Sequence, residues 1–520
     1  MRKKEQGSKD MRYSNLKTYK KKNTLPVCFI LGIVILVCIV FPVHANKGVY
    51  DWAFVKLDYA RQEKVQQLNN FCNRIHELAL QASGDPLVIA CFDINLQFSR
   101  AETGGKVPEA LGSKVTALRK SFNKYYIENF FAFYDIMFVS RDGYVFFSMR
   151  KESNLNTNLI KGSLAGTDLS LCLDKNPQKE AFVDFQYWAP SSEPASFFVE
   201  PVYKDGVHTG WIILQCAINK FNTILAWTED LGQTGETFLV NRNGYMLTES
   251  NFKGSSTILE KRLDDRNIQT KFAEKKGHRT VTDYRGCIAF SSFEVVNFLG
   301  THWLVVAKVD RDEIITQHYE QHRRFYADKL LGYLEKTEAP PLRNAQHRTE
   351  GPTLRIDMDE FLKANRGESV HTFGVSTCTG LLAAYPGKFA YMAHISSKDR
   401  IYGAGETNLL GQILKKIKSF DVYRCERRNV VFIFVATHLK SLLATVDKLV
   451  EEGFLLSQIR VLYNPQAGSV AISYDYKVDD MNVSWNLENN SSGRNCHIME
   501  DTRNVGEIIR LVMQSEERTL

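Results

Sequence analysis

Two stretches about 100 residues apart decide the fold: YDIMFVSRDGYVFFSM (134–149) and GETFLVNRNGYMLTES (235–250). Each runs apolar strand, tight turn, strand, with Asp142-Gly143 in the first turn and Asn243-Gly244 in the second. Such dipeptides between alternating apolar runs mark a two-residue hairpin, because glycine reaches the positive φ that these turns need. Each hairpin is followed by a polar excursion and then by further strands: FFVEPVYKDGVHTGWIILQCAI after the first, GCIAFSSFEVVNFLGTHWLVVAKVD after the second. A unit of this kind met twice in order indicates two similar modules in tandem.

Upstream of both, Val65, Leu68, Cys72, Ile75 and Leu78 recur at spacings of three and four, so residues 46 to 82 read as one long helix with a single apolar stripe. The stripe fits packing on its own domain and also pairing with a second subunit, a homodimer through this helix. At 520 residues the chain exceeds what one core normally holds, so more than one domain is expected.

The net charge of +7 would suit nucleic acid or anionic lipid, but nine Lys and Arg between Arg2 and Lys22 supply the excess. The remainder is close to neutral, which removes nucleic acid as a partner. Those cations precede TLPVCFILGIVILVCIVFPVHAN, which holds no Asp, Glu, Lys or Arg. A basic flank before an apolar run predicts a cytoplasmic tail (1–24), a single transmembrane helix (25–45) and an extracytoplasmic, periplasmic location for everything beyond Ala45. VHA before Asn46 also fits a cleaved signal peptide, and both readings leave the rest of the chain on one side. The cysteines form no metal spacing or disulfide framework, and neither a metal nor a cofactor is expected.

The long helix, then DIMFVSRDGYVFFSMRKESNLNTNL, FVDFQYWAPSSEPASFFVEPVYKDGVHTGWIIL, TGETFLVNRNGYMLTES and a closing THWLVVAKVDRDEI, together resemble the double Cache (PDC-type) sensor domain of bacterial chemoreceptors, sensor kinases and cyclases. The resemblance covers residues 46–312 and implies an α+β architecture, two PAS-like sheets on a long helix, with a small-molecule pocket usually in the first, membrane-distal module. On the segments facing the ligand in relatives, Lys151, Asp184, Tyr187, Trp188 and Phe198 supply a cation, an anion and aromatic walls. The chain departs from the family pattern after Asp310, where no second apolar run of spanning length follows.

Residues 313–353 read as a charged helix followed by a Pro- and Gly-containing loop. His318 and His322 are four apart and share a helix face, half of a metal site with no third ligand placed, so a solvated linker is the expectation. Residues 354–488 then alternate: the hairpin TGLLAAYPGKFAYMAHI, the amphipathic helix ETNLLGQILKKIKSF, the buried strand NVVFIFVAT, a helix from about His438 to Glu452, and three further strands. The pattern indicates an α/β layered domain with a sheet covered by helices. The tail, 489–520, reads as loop-like and then a short helix through Ile508, Ile509 and Val512.

In this last domain Cys378 sits in a Ser/Thr-rich turn and His394 lies one hairpin downstream. A cysteine hydrolase needs an imidazole beside its thiol, to lower the thiol pKa and later to protonate the leaving group, and a hairpin can bring the two side by side. A cysteine opening an apolar strand is usually a packing residue. HTFGVSTCTGLLAAYPGKFAYMAHI and the helix and strand beyond it resemble the CheD family, the chemoreceptor glutamine deamidases. That likeness implies Cys378 as nucleophile, His394 as base and acid, and Thr372 as the group orienting the histidine. The Gly-rich and GERN-like segments of the family are not recognisable after Phe432, and its known type of substrate is cytoplasmic.

The sequence thus points to a membrane-anchored sensor of a small molecule, signalling to or through its C-terminal module and to a membrane receptor or other signalling partner. Its alternative is a ligand-regulated Cys-His amidohydrolase outside the cytoplasm.

Overall fold

The computed structural model describes residues 50–517 apart from 131, 227–230, 253–255, 338–342, 345–352, 366–367, 397–407, 421–425, 476–479 and 488–489. The basic tail and the apolar run expected to cross the membrane lie outside them. Among the described residues no helix is long and apolar enough to cross a membrane.

The long helix α1 runs Asp51–Gly84 and ends where Asp85 turns the chain out of helical geometry. Asp85 then caps α2 (Pro86–Thr103), its carboxylate accepting the N–H groups of Leu87 and Val88 at 2.8 and 3.1 Å. Asp at the cap and Pro at the first helical position are the expected helix-start chemistry. Helix α3 (Glu109–Asn129) packs back along α2.

The first module is a five-stranded sheet built from β1 (Asp135–Ser140), β2 (Val145–Ser148), β3 (Ala181–Trp188), β4 (Glu193–Lys204) and β5 (Val207–Ala217), in spatial order β2-β1-β5-β4-β3. Helix α4 (Asp168–Asp174) lies in the excursion between β2 and β3. The second module has β6 (Glu236–Asn241), helix α5 (Asp265–Glu274), β7 (Lys276–Thr282), β8 (Ile288–Phe298) and β9 (Thr301–Asp310), ordered β6-β9-β8-β7. Both hairpin turns form where the repeat placed them, with Gly143 at φ +90° and Gly244 at φ +84°. The stripe Leu68, Cys72 and Ile75 is buried in the core that joins both modules, so the helix spends its apolar face on its own sheets.

The segment expected to be a solvated linker is a packed layer. In α6 (Arg311–Gln321) Glu313, Ile314, Ile315, Thr316 and Tyr319 are all buried, and α7 (Arg323–Lys336) buries Tyr326, Leu330 and Leu334. The one buried carboxylate of α6 is matched by distant backbone: Glu313 accepts the N–H groups of Gln233 and Thr234 at 2.7 and 2.6 Å.

The C-terminal domain holds two six-stranded sheets face to face, where one helix-covered sheet was expected. One is ordered β10-β20-β19-β18-β13-β11, from Arg343–Asn344, Asn490–His497, Asp480–Leu487, Ser469–Asp475, Ser369–Val375 and Thr353–Arg355. The other is β12-β15-β14-β16-β17-β21, from Glu360–Ala364, Phe389–Ile395, Thr379–Tyr385, Val431–Ala436, Ile459–Tyr463 and Arg503–Asn504. Strand β18 shows the reason: Val470, Ile472 and Tyr474 are buried while their neighbours are not, the period of a strand with one face on a core. Helix α8 (Leu409–Phe420) packs on β12 and β15, and α9 (Lys440–Glu451) follows β16. The tail is no loop: β20 pairs along its whole length with β19, and α10 (Val505–Glu517) packs on α6 and α7.

Candidate functional site

The two faces of the first sheet are packed differently. Ile136, Phe138, Phe198, Ile212 and Leu214 face the helices, whereas Met137, Val139, Trp188, Phe197, Trp211 and Ile213 face the excursion that carries α4. On this second face the strands also place polar side chains. Asp135 of β1 stands directly across from Gln215 of β5, which pairs in turn with Phe197 of β4, and Gln186 of β3 pairs with Ala195. Asn154 comes in from the covering segment, its Nδ2 2.7 Å from Met137 Sδ.

The hydrogen bonds of this group are incomplete. Gln186 Oε1 accepts the N–H of Asp168 at 2.9 Å, which leaves Gln186 Nε2 without a partner; Gln215 Nε2 donates to Ser191 Oγ at 3.2 Å, which leaves Gln215 Oε1 without one. Trp188 Nε1 and Asn154 Oδ1 are likewise buried and unpaired. Two donors and two acceptors therefore meet neither protein nor solvent, and each costs on the order of 1–3 kcal/mol. Asp135 is fully satisfied, Oδ1 by the N–H groups of Ile136 and Arg150 at 2.8 and 3.0 Å and Oδ2 by Ser148 Oγ at 2.7 Å. Burial nevertheless outweighs those bonds and pushes its carboxyl up to about 6. The arrangement suits a small polar molecule with both donors and acceptors.

Of the five residues proposed from the sequence, the structure places only Trp188 with this group. Phe198 is 1% exposed on the helix side, among Phe133, Phe182 and Phe298. Asp184 also faces that side: its Oδ1 accepts Trp303 Nε1 at 2.8 Å, a bond between the modules, and burial raises its carboxyl to about 6. Tyr187 is 62% exposed, and Lys151 is an exposed residue of the turn after β2 with φ +57°. The cause is a bulge between Val183 and Gln186, which resets the alternation of β3 and turns Asp184 away from the face a plain period of two would give it. Gln186, Gln215, Asn154 and Asp135 were missed; for Gln186, Gln215 and Asp135 the available signal was a polar residue inside the runs DFQYW, ILQCA and YDIMF, and Asn154, in a polar stretch, carried none.

In the C-terminal domain the hairpin β14–β15 pairs Gly380 with His394 and Leu382 with Met392, and Cys378 sits in the bend just before β14, making no hydrogen bond to His394 among the described residues. Cys378, Leu382 and Met392 belong to the core between the two sheets. From the opposite sheet Thr372 Oγ1 meets His394 Nδ1 at 2.9 Å, and His394 Nε2 is buried without a partner. When Nδ1–H donates to Thr372, Nε2 presents a free lone pair. Burial lowers the His394 pKa, against the opposing pull of Asp359 and Asp357, so the ring is neutral and basic at pH 7. Burial raises the Cys378 thiol, against the hydroxyl of Thr377. The site thus holds a neutral thiol and a neutral imidazole, and a thiolate would form only by proton transfer to a base during reaction.

His318 is half-buried against Trp52 and His322, and burial with the neighbouring His322 lowers it to about 4. No group of three metal-ligating side chains occurs among the described residues.

The family model described as a Cache domain matches residues 57–317. No curated protein matches the sequence. Among solved structures, an extracellular ligand-binding receptor from Desulfohalobium retbaense is 14% identical, aligned over 49% of this chain and 40% of its own length, with a TM-score of 0.35. The ligand-binding domain of the Pseudomonas fluorescens chemoreceptor CtaA, solved with L-serine, is 12% identical over 50% of this chain and 97% of its own, TM-score 0.32. The periplasmic sensory domain of the Campylobacter jejuni chemoreceptor Tlp1 is 11% identical over 50% and 97%, TM-score 0.35.

Proposed function

Because the chain belongs to the Cache domain family, matched over residues 57–317, we propose that it is an extracytoplasmic sensor of a small polar molecule, held on the face of the first sheet opposite α1. The observation that carries this reading is the set of four buried, partnerless polar atoms on Gln186, Trp188, Gln215 and Asn154. A ligand that completes their hydrogen bonds removes a standing cost, and the apolar side chains around them exclude water from the new bonds. The run at 25–45 is read as the membrane anchor, and the C-terminal domain as the module to or through which binding is signalled, to a receptor or other partner at the membrane.

The test is a thermal-shift screen of the full chain against amino acids, small carboxylates and sugars, followed by calorimetry on the hits. A saturable shift that disappears in Gln186→Leu and in Gln215→Leu supports the site. A ligand whose binding survives both substitutions sits elsewhere and overturns it.

A second reading rests on a different observation, the Thr372–His394 hydrogen bond and the open Nε2 beyond it. On this reading the CheD-like module is a Cys-His amidohydrolase. The Cys378 sulfur attacks a primary carboxamide as His394 takes the thiol proton and returns it to the departing ammonia, and water then cleaves the thioester to the carboxylic acid. Ammonia release from glutaminyl peptides by the wild type and not by Cys378→Ala supports it; equal release from both removes it.

A further inference from the structure

The second module contains a cavity of about 250 Å³ between α5 and the sheet, lined on its charged side by Lys261, Arg262, Lys271 and Lys308 against Asp264 and Asp283. A water's share of liquid volume is about 30 Å³, so the space holds several waters or one small solute.

The cations are not equally provided for. Lys308 pairs with Glu236 at 2.9 Å and with Asp283, and Arg285 pairs with Asp283 and Asp310. Asp264 is occupied as the cap of α5, accepting the N–H of Arg266. Lys271, which is 4% exposed, makes no ion pair among the described residues. Its Nζ has a long contact of 3.4 Å to Ser291 Oγ and lies 5.4 Å from the centre of the Phe293 ring. Arg279 from β7 and Lys308 from β9 act on it with charges of its own sign. A buried ammonium without a carboxylate is among the costliest groups a fold can carry, and folds normally pair it or replace it by an apolar chain.

We propose that this cavity is a binding site for a small oxyanion of the carboxylate or phosphate class, with Lys271 as its principal counter-charge. The site is separate from the ligand face of the first module. The oxyanion supplies the negative charge that α5 and β8 leave out, and the lining cations make the entrance attractive to it. The same unpaired environment explains why burial, with Arg279 and Lys308, brings the Lys271 pKa down to about 8. An anion seated against the ammonium raises that pKa, so binding takes up a proton where free Lys271 is neutral, and affinity falls as pH rises above about 8. Two of the groups facing it move away from that range: Asp283 is held below its usual range by Lys308 and Arg285 in spite of its burial, and burial beside Glu236 raises Tyr284.

The test is calorimetric titration of the full chain with acetate and, separately, inorganic phosphate, at constant ionic strength set with chloride. The expected result is saturable binding of at least one, weakened at least about tenfold in Lys271→Met, and for acetate falling by up to about tenfold per pH unit above pH 8. Lys271→Met without anion is expected to melt no lower than the wild type, since it removes an uncompensated charge and keeps the chain length. Gln215→Leu, in the first module, is expected to leave anion binding unchanged, which separates this site from the first. The proposal is overturned if neither anion binds, if Lys271→Met binds as the wild type does, or if Gln215→Leu alone abolishes binding.

Discussion

Asp135 gives the sharpest test of the electrostatics of the proposed ligand face. Its carboxyl is 0% exposed and shifts from the ordinary 3.8 to about 6, because burial outweighs three hydrogen bonds to the charged form. An acid with a folded pKa above its unfolded value holds a proton in the fold that the unfolded chain has already released. Its contribution to stability is therefore unchanged below pH 3.8, falls between 3.8 and about 6, and is constant above. Two units correspond to about 3 kcal/mol. Asp135→Asn keeps an oxygen for the N–H groups of Ile136 and Arg150 and presents an N–H₂ to Ser148, whose hydroxyl can accept as well as donate. The variant is thus expected to match the wild type near pH 3.5 and to exceed it by about 3 kcal/mol at pH 8, measured as the difference between urea-unfolding free energies at the two pH values. Parallel pH profiles for the two proteins, or a variant relatively weaker at pH 8, would refute the reasoning and show that the hydrogen bonds, not burial, dominate the carboxylate.

Trp303→Phe keeps the aromatic packing but removes the donor to Asp184, leaving a half-buried carboxylate short of one partner; a loss of about 1–3 kcal/mol is expected in thermal or urea unfolding. Cys378 is 7% exposed with its thiol raised by burial, so alkylation by iodoacetamide is expected to be slow at pH 7 and to accelerate with pH beyond the range of a free thiol. Thr372→Val, which frees the histidine from its hydrogen bond, is expected to change that rate if His394 acts on the sulfur; an identical pH–rate profile in the variant would exclude the coupling.

The tandem modules were legible because Asp-Gly and Asn-Gly turns and period-two strands are local properties; both turns form at those dipeptides, although as three-residue loops with only the glycine at positive φ. The ligand face was not, since it depends on phase. A single bulge in β3 moves Asp184 to the inter-module side and leaves Gln186 facing the covering segment, and nothing in DFQYW announces the extra residue. The packed state of α6 was hidden for a different reason. Its buried acid Glu313 is satisfied by backbone N–H groups of Gln233 and Thr234, some 80 residues earlier, so its sequence looks solvated while its structure is not. The pairing of Thr372 with His394 crosses between two sheets, a contact that periodicity alone could not reach.

The C-terminal domain meets the sensor at the end of β9 and along α6, away from the proposed ligand face of the first module. Tyr319 donates to Asp447 at 3.0 Å, Arg323 pairs with Glu451 at 2.9 Å, and Thr316 Oγ1 accepts the N–H of Leu456 at 3.0 Å. Arg428 reaches Gln233 O at 2.7 Å and lies over the Phe252 ring that Arg285 also covers. Asp310, the last residue of β9, is approached by both guanidinium groups, Arg285 from the second module and Arg428 at 4.0 Å from the C-terminal domain. One carboxylate serving two cations leaves at least one of them undercompensated. Asp283, which also holds Lys308 in the wall of the cavity, is the other partner of Arg285. The cavity wall and the seat of the C-terminal domain are thus joined by two carboxylates that share their cations, Asp283 between Lys308 and Arg285 and Asp310 between Arg285 and Arg428.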